Sequence, residues 1–153
     1  RDIGIIVRPH PERIREWDGI DLSQFGHVVL RGRNPIDEDA KADYYDSLYH
    51  SVAAVGIITS AFIEAAAIGR PSLTVEAARF VEHQKGAPHY QYLRDPEAGL
   101  LLVAPDFEQH ENQLASVVLG DPSANDRTRR FVDTFVRPPG PATVATDRFV
   151  GRQ

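Results

Sequence analysis

The sequence predicts an α/β fold: a doubly wound, Rossmann-like parallel sheet of about five to six strands with helices on both faces. Short apolar runs recur along the chain, and segments of helical period separate them. That alternation is typical of βαβ units, whose strands lie parallel. With 153 residues, the chain also has the usual length of one such domain.

Five apolar runs are the predicted strands, and the third is expected to be central because it is apolar on both faces. The runs cover residues 3–7, 27–30, 53–58, 72–75 and 100–103. The predicted helices cover residues 11–17, 39–51, 61–68, 106–120 and 125–136. The last of these is expected to bury Phe131, Val132 and Phe135, whereas residues 76–88 combine helical and loop character.

Several helix ends carry local signals. Ser60 is predicted to cap the helix that begins at Ala61, and Gly69 is expected to end it. Further along, Asp106 with Gln109 three residues later resembles a capping box, and Gly120 closes that helix.

We expect a single nucleotide-binding domain over residues 1–140 and an irregular, proline-rich tail over residues 141–153. The sequence contains no methionine, from which we expect the chain to be part of a longer protein.

Composition restricts the function classes. A formal charge of −5 disfavours nucleic acid as a partner, since binding to phosphates needs a basic surface. The absence of cysteine excludes disulfides and thiolate metal sites and is compatible with a cytoplasmic location. The apolar stretch 52–69 approaches the length of a membrane span, but Gly56, Thr59, Ser60 and Glu64 interrupt it. We therefore interpret it as a buried strand and a helix.

The first candidate site follows the third strand. Ligands of parallel α/β sheets bind beyond the carboxyl ends of the strands, and Thr59, Ser60 and Ala61 lie there, at a helix start that favours phosphate. Glu64 lies one turn further on in an apolar segment, where an ionised carboxylate requires a partner or access to water. Either an arginine such as Arg70 or Arg8 pairs with it, or it faces a cleft; Ser60 alone is explained equally well as a cap.

The second candidate site, "RPHPER", follows the first strand. Two prolines stiffen the backbone around His10, and Arg8 lies beside it. Arginine and histidine together can bind an anion. A rigid turn with solvated side chains is the alternative.

A third segment, "HQKGAPHYQYL", contains Gln84 and His89 as candidate substrate-binding residues. The histidine spacing in this segment does not match a helical metal site, and we expect no metal. The remaining histidines, His27, His50 and His110, are explained most simply as surface residues or as core residues with satisfied hydrogen bonds.

The segment "YYDSLYHSVAAVGIITSAFIEAAAIGRPSLTV", residues 44–75, resembles GT-B glycosyltransferases, in which a helix and strand lead into "S-S-x-x-x-E-A-x-x-x-G-x-P". The resemblance extends over about residues 3–140. It implies that Glu64 holds the ribose of a donor nucleotide, while Thr59, Ser60 and the following amides hold its phosphates.

The "HP" of His10 and Pro11 is similar to that of transferases with cytidine-linked donors: sialyltransferases, capsule Kdo transferases and CDP-glycerol glycerophosphotransferases. This resemblance implies that Arg8 and His10 are catalytic residues that help the nucleotide to leave. It also implies a CMP- or CDP-linked donor, no cofactor, and an amino-terminal acceptor domain outside this chain.

The resulting hypothesis is the donor-binding half of a metal-independent transferase in cell-envelope or capsular polysaccharide synthesis. Such a half alone is expected to turn over little. The parent protein would be cytoplasmic, or peripheral at the inner face of the membrane through its other domain. One alternative is a sugar-nucleotide epimerase half, and another is a doubly wound module that binds a partner without catalysis.

Overall fold

The structure is an α/β fold with parallel strands and helices packed on the sheets. This computed structural model describes residues 3–32, 35–78, 81, 84 and 86–138. They form two compact units, one up to Ser47 and one from Leu48. Within the described residues, no helix is both long enough and apolar enough to cross a membrane.

The strands are short and form two sheets. Their bounds are β1 (Ile5–Val7), β2 (Val28–Leu30), β3 (Ala54–Gly56), β4 (Ser72–Val75) and β5 (Leu101–Ala104). β1 pairs with β2 in the first unit, and the order β3-β4-β5 forms the sheet of the second. Every pair is parallel, as predicted. The prediction of one sheet of five to six strands is wrong in strand number, because the described strands pair only within their own unit.

Helices connect and flank these strands. The α-helices are α1 (Glu38–Tyr49), α2 (Ala61–Ala67), α3 (Pro88–Leu93), α4 (Phe107–Leu119) and α5 (Pro122–Phe131). Two 3₁₀ helices, Pro11–Trp17 and Ser23–Phe25, lie in the first unit, and a π-helical turn, Val132–Val136, continues α5. The stretch 52–69 thus contains a strand and a helix, as the sequence predicts.

β4 is the central strand of the second unit, and all four of its residues are buried. The sequence predicts that the third strand is central, but Val55 of β3 is 54% exposed. The strand order is β3-β4-β5, so β3 is an edge strand of this sheet. Its apolar residues are therefore covered less completely than those of β4. Apolar composition therefore did not identify the central strand.

Helices pack on both faces of the β3-β4-β5 sheet. On one face, Leu101 packs in a cluster with Phe62 of α2 and Tyr90 of α3. On the other face, Leu73 packs with Val117 of α4. Side chains alternate between the two faces of a strand, which is why adjacent residues of β4 and β5 belong to different clusters.

The capping signals of α4 are confirmed. The Asp106 carboxylate accepts a hydrogen bond of 2.8 Å from the amide of Gln109. At the other end, Gly120 has a φ of 93°, a left-handed conformation that glycine adopts without steric cost. Both signals are local in sequence, so they do not depend on the packing of distant elements.

The end of the last helix differs from the prediction. Phe131 is buried as expected and Val132 is half-buried, but Phe135 is 42% exposed. After Phe131 the helix widens, and the amide of Arg137 donates to the carbonyl of Val132, five residues earlier. The Phe135 ring still contacts that of Phe131, with 5.2 Å between the ring centres, so Phe135 lies at the margin of the core and is only partly covered.

A loop before β5 is held by main-chain contacts. The Arg127 guanidinium donates to the carbonyls of Asp95 at 3.3 Å, Pro96 at 2.7 Å and Gly99 at 3.0 Å. A Cβ atom on Gly99 would lie 2.6 Å from the Leu93 carbonyl oxygen and would also clash with Asp95. Glycine is therefore required here by close backbone approach.

Gly99→Ala should lower the free energy of unfolding by about 1–3 kcal/mol, the usual cost of overpacking. Urea denaturation followed by far-UV circular dichroism measures it. Gly4→Ala is the control, because its Cβ would meet only the His27 carbonyl at 3.8 Å. Equal midpoints for the two variants would contradict the close approach at Gly99.

His110 should make stability depend on pH. The residue is buried, and its Nδ1 atom has no hydrogen-bond partner within the described part of the chain, so it is not the satisfied core histidine that the sequence suggested. Burial lowers the pKa of His110, and Glu111 opposes this by a smaller amount. The unfolded chain therefore binds the proton more readily, and stability should fall as pH decreases through about 6.5.

Thermal unfolding between about pH 7.5 and pH 5.5 measures this dependence. His110→Leu should show a smaller loss of stability than the parent chain over that range. The control is His89→Leu, since His89 is exposed on α3. An unchanged pH dependence in His110→Leu would contradict the assignment.

Candidate functional site

The turn between β3 and α2 brings four of the predicted site residues together. Thr59 and Ser60 precede α2, Ala61 is its first residue, and Glu64 lies in its first turn. This turn follows the carboxyl end of a parallel strand, the edge at which open α/β sheets bind ligands. The predicted phosphate-binding residues and the predicted ribose-binding residue thus share one short segment.

Thr59, rather than Ser60, caps α2 with its side chain. The Thr59 hydroxyl accepts a hydrogen bond of 3.2 Å from the Ala61 amide, whereas the Ser60 side chain makes no capping bond. The reason is conformational: Ser60 has helical dihedral angles, φ −65° and ψ −22°, and a capping side chain needs an extended backbone. The prediction that Ser60 caps the helix is wrong, and its exposed hydroxyl is not used for capping.

The first amides of α2 already have partners within the chain. Besides the Ala61 amide, the Ile63 amide donates to the Ser60 carbonyl at 2.9 Å. A phosphate bound at this helix start would therefore have to replace the Thr59 hydroxyl as the acceptor of the Ala61 amide.

Glu64 lies on the outer face of α2. Phe62, Ala65 and Ala66 are buried on the inner side of the same helix, while Glu64 is exposed. An apolar segment can therefore carry this carboxylate because the helix turns it away from the core.

The two arginines proposed as partners for Glu64 make contacts elsewhere. Arg70 donates to the Tyr49 carbonyl at 2.5 Å, and its guanidinium lies 5.7 Å from the centre of the Tyr49 ring. Arg8 contacts α1, as described next. These contacts engage Arg8 with α1 and Nη2 of Arg70 with Tyr49, while Nε of Arg70 is buried without a hydrogen-bond partner among the described residues.

Arg8, at the end of β1, holds that strand to α1 within the first unit. Its Nη2 atom donates to the Asp43 carbonyl at 2.9 Å and forms an ion pair with the Asp43 carboxylate. Its Nε atom donates to the Ser47 hydroxyl at 3.1 Å, and the guanidinium lies 5.5 Å from the centre of the Tyr44 ring. Arg8 is thus positioned as a structural clamp, and its catalytic role stays a prediction.

His10 is exposed and has a defined hydrogen-bonding state. Its Nδ1 atom accepts a hydrogen bond of 3.3 Å from the Glu12 amide, at the start of the 3₁₀ helix Pro11–Trp17. When the imidazole is neutral it carries one proton, and this bond to Nδ1 leaves that proton on Nε2. His10 can therefore donate a hydrogen bond to an anion from Nε2 without a change in charge.

Gln84 and His89, the candidate substrate-binding residues, lie in different environments. His89 is exposed on α3. Gln84 is fully buried, and its Nε2 atom donates to the Val75 carbonyl at 3.0 Å. Gln84 is therefore an interior residue whose side chain reaches the carboxyl end of β4.

Sequence reasoning missed a charged cluster just after β4. Glu76 is bound by Arg94, with 2.7 Å between Nε and Oε1 and 3.0 Å between Nη2 and Oε2. The buried Tyr90 hydroxyl also donates to Glu76, at 3.2 Å. The signal was present, because Glu76 directly follows a strand and Tyr90 and Arg94 are spaced by one helical turn.

The contacts among Glu76, Arg94 and Tyr90 indicate a structural role for this cluster. The Glu76 side chain is only 11% exposed, and a buried carboxylate needs both charge compensation and hydrogen bonds. Arg94 and Tyr90 provide them, which ties α3 to the end of β4.

Neither a metal centre nor a relative identifies the site. Among the residues that the structure describes, no group of three or more histidine, cysteine, aspartate or glutamate side chains could hold a metal ion. Comparisons with protein-family models, with curated proteins and with solved structures find no match.

Tyr90 should titrate abnormally because of this cluster. Burial, the larger cause, and the charge of Glu76 together raise the pKa of Tyr90 to about 12. In Glu76→Gln, the pKa should fall but stay above 10, the ordinary value, because burial is the larger cause. Titration of ¹³Cζ-labelled tyrosine by NMR measures it, with Tyr90→Phe to assign the signal.

The raised pKa also fixes the direction of the alkaline stability change. The folded state holds the Tyr90 proton more tightly than the unfolded state, so this contribution is present below pH 10 and is lost as pH rises towards about 12. A Tyr90 resonance that titrates at the same pH as the other tyrosines would contradict the cluster.

Proposed function

We propose that this chain is the donor-nucleotide-binding half of a glycosyl- or glycerophospho-transferase that acts in cell-envelope or capsular polysaccharide synthesis. The resemblance of residues 44–75 to GT-B transferases supports it, as does an α/β fold with parallel strands. The Rossmann-like character of the domain belongs to this proposal.

The position of Glu64 is the observation that carries the proposal. Its carboxylate is exposed one turn into α2, beyond the carboxyl end of β3 and on the same short segment as Thr59 and Ser60. A carboxylate can accept both hydroxyl protons of a ribose. The exposed Ser60 hydroxyl and the Ala61 amide can contact the phosphates. This arrangement fits a nucleoside diphosphate and requires no metal ligand from the chain.

Catalysis in this proposal is electrostatic. By the resemblance to transferases with cytidine-linked donors, His10 would stabilise the charge that develops on the departing phosphate. Arg8 would act less directly, because its bonds to Asp43 and Ser47 fix the strand that precedes His10. The acceptor and any base that activates it belong to the rest of the parent protein.

A non-catalytic binding module of the same fold is the second candidate. The observation that favours it is the engagement of Arg8 with α1, which removes a cation from the predicted leaving-group site. Such a module would bind its partner without a preference among nucleotides.

Calorimetric titration with CMP, CDP, UDP and GDP at low salt tests the proposal. We expect binding with a preference for cytidine nucleotides, and Glu64→Ala should weaken it by about 1.5–3 kcal/mol, the contribution of a charged hydrogen bond. The control is Glu108→Ala, because Glu108 is also an exposed glutamate in the first turn of a helix.

The result separates the two candidates. Binding that Glu64→Ala weakens and Glu108→Ala does not would support the transferase half. The transferase proposal fails for this chain if all four nucleotides give flat titrations, or if the two variants bind equally well while remaining folded.

A further inference from the structure

In the part of the chain that the structure describes, β5 is an edge strand of the β3-β4-β5 sheet. Among the described residues, β5 pairs with β4 only. The Glu76 amide donates to the Ala104 carbonyl at 2.7 Å, so the main chain of Ala104 faces β4. Main-chain groups alternate in direction along a strand, and those of Leu101 and Val103 therefore point outward. Free edges of this kind bind extended segments by strand addition.

A cleft runs along this edge. Its volume is about 640 Å³, and three consecutive strand residues, Leu101, Leu102 and Val103, line it. Side chains of successive strand residues point to opposite faces, so a cleft that contacts all three lies at the edge of the sheet. Gln91 and Arg94 from the α3 side and Gln113 from α4 form its walls.

The side chain of Gln113 shows that the main chain of β5 can form hydrogen bonds inside the cleft. Its Nε2 atom donates to the Val103 carbonyl at 3.2 Å, in the position that the amide of a neighbouring strand would occupy. Its Oε1 atom is buried and has no hydrogen-bond partner in the part of the chain that the structure describes. A polar atom in that state is costly, and an N–H donor entering the cleft would satisfy it.

The charge of the cleft favours an acidic occupant. Arg127 lines it and donates to three main-chain carbonyls. The charge of Arg130 lowers the pKa of Arg127, and only burial lowers it more. Asp95 raises this pKa, but its effect is smaller than that of Arg130. Asp95 also lines the cleft, but one of its carboxylate oxygens accepts from the amides of Glu97 and Ala98 in its own loop. The Arg127 end of the cleft is therefore positive.

We propose that this cleft binds an extended acidic peptide segment, which adds to the sheet as a strand beside β5. A carbonyl of the peptide accepts from the outward amide of Val103, an amide of the peptide donates to Oε1 of Gln113, and its carboxylates lie at the Arg127 end. A second copy of the chain is a poorer occupant, because β5 itself carries no acidic side chain. The site is separate from the turn at Thr59 and does not depend on the proposed nucleotide.

Fluorescence polarisation with a labelled octapeptide of alternating glutamate and valine tests the proposal on the whole chain. Two comparison peptides separate the contributions to binding. Replacing glutamate by lysine reverses the charge but keeps the alternation, and N-methylation of alternate amides removes main-chain donors but keeps the charge. We expect the acidic peptide to bind about tenfold or more tightly than either comparison peptide, the equivalent of one charged hydrogen bond.

Gln113→Glu should weaken binding of the acidic peptide about tenfold, because it places a like charge beside the carboxylates of the peptide. Gln109→Glu is the matched control, since it makes the same change on the exposed face of the same helix. Amide exchange should show protection at Leu101 and Val103 when the peptide is bound. This readout locates the site even if Gln113→Glu fails to fold.

Three results would overturn the proposal: no binding of the acidic peptide, equal binding of the N-methylated peptide, or protection that excludes β5. Sedimentation of the free chain as a dimer whose β5 amides are protected would also overturn it, because a second copy would then occupy the edge.

Discussion

The complete burial of β4 is the constraint on which the second unit depends. A strand that is covered on both faces and paired at both edges has no contact with water, so its main-chain groups must all be paired within the protein. Parallel neighbours provide this pairing, and parallel neighbours require crossovers through helices. The positions of α2, α3 and α4 on the two faces of the sheet follow from that requirement, and so does the common direction of the strand ends.

Two hydroxyl groups inside β4 show how this burial is made compatible with polar atoms. Ser72 donates to the Phe62 carbonyl of α2 at 3.4 Å, and Thr74 donates to the Ile57 carbonyl at 3.4 Å. Both bonds connect the central strand to the segment that carries Thr59, Ser60 and Glu64. The candidate nucleotide site is thus attached to the most buried strand, which limits its movement relative to the sheet.

Local signals were the part of the structure that the sequence predicted well. β4 and both ends of α4 follow from a short apolar run, an aspartate cap and a glycine, and none of these depends on distant contacts. The wrong predictions concern side chains whose exposure depends on contacts with residues distant in the sequence. The exposure of Val55 depends on which strand is central, and the partial exposure of Phe135, whose ring contacts Phe131, depends on how far the rest of the chain covers the margin of the core.

In the candidate site, too, the sequence predicted local features and missed those that depend on the folded chain. The sequence identified the segment from Thr59 to Glu64, because a strand followed by hydroxyl groups and a helix is a local pattern. It did not identify which hydroxyl caps the helix, since the backbone angles of Ser60 decide that. It also missed Glu76, whose partners Tyr90 and Arg94 come from α3 and meet it only in the folded chain.

The hydrogen bonds between Arg127 and the loop before β5 have a practical consequence for labelling the chain. The guanidinium is held by carbonyl groups of the loop before β5, and none of these acceptors depends on a side chain. Position 97 in this loop is exposed, and the sequence contains no cysteine. A cysteine at position 97 would therefore be the only thiol in the chain, and a fluorophore or spin label attached there would leave the contacts of Arg127 in place.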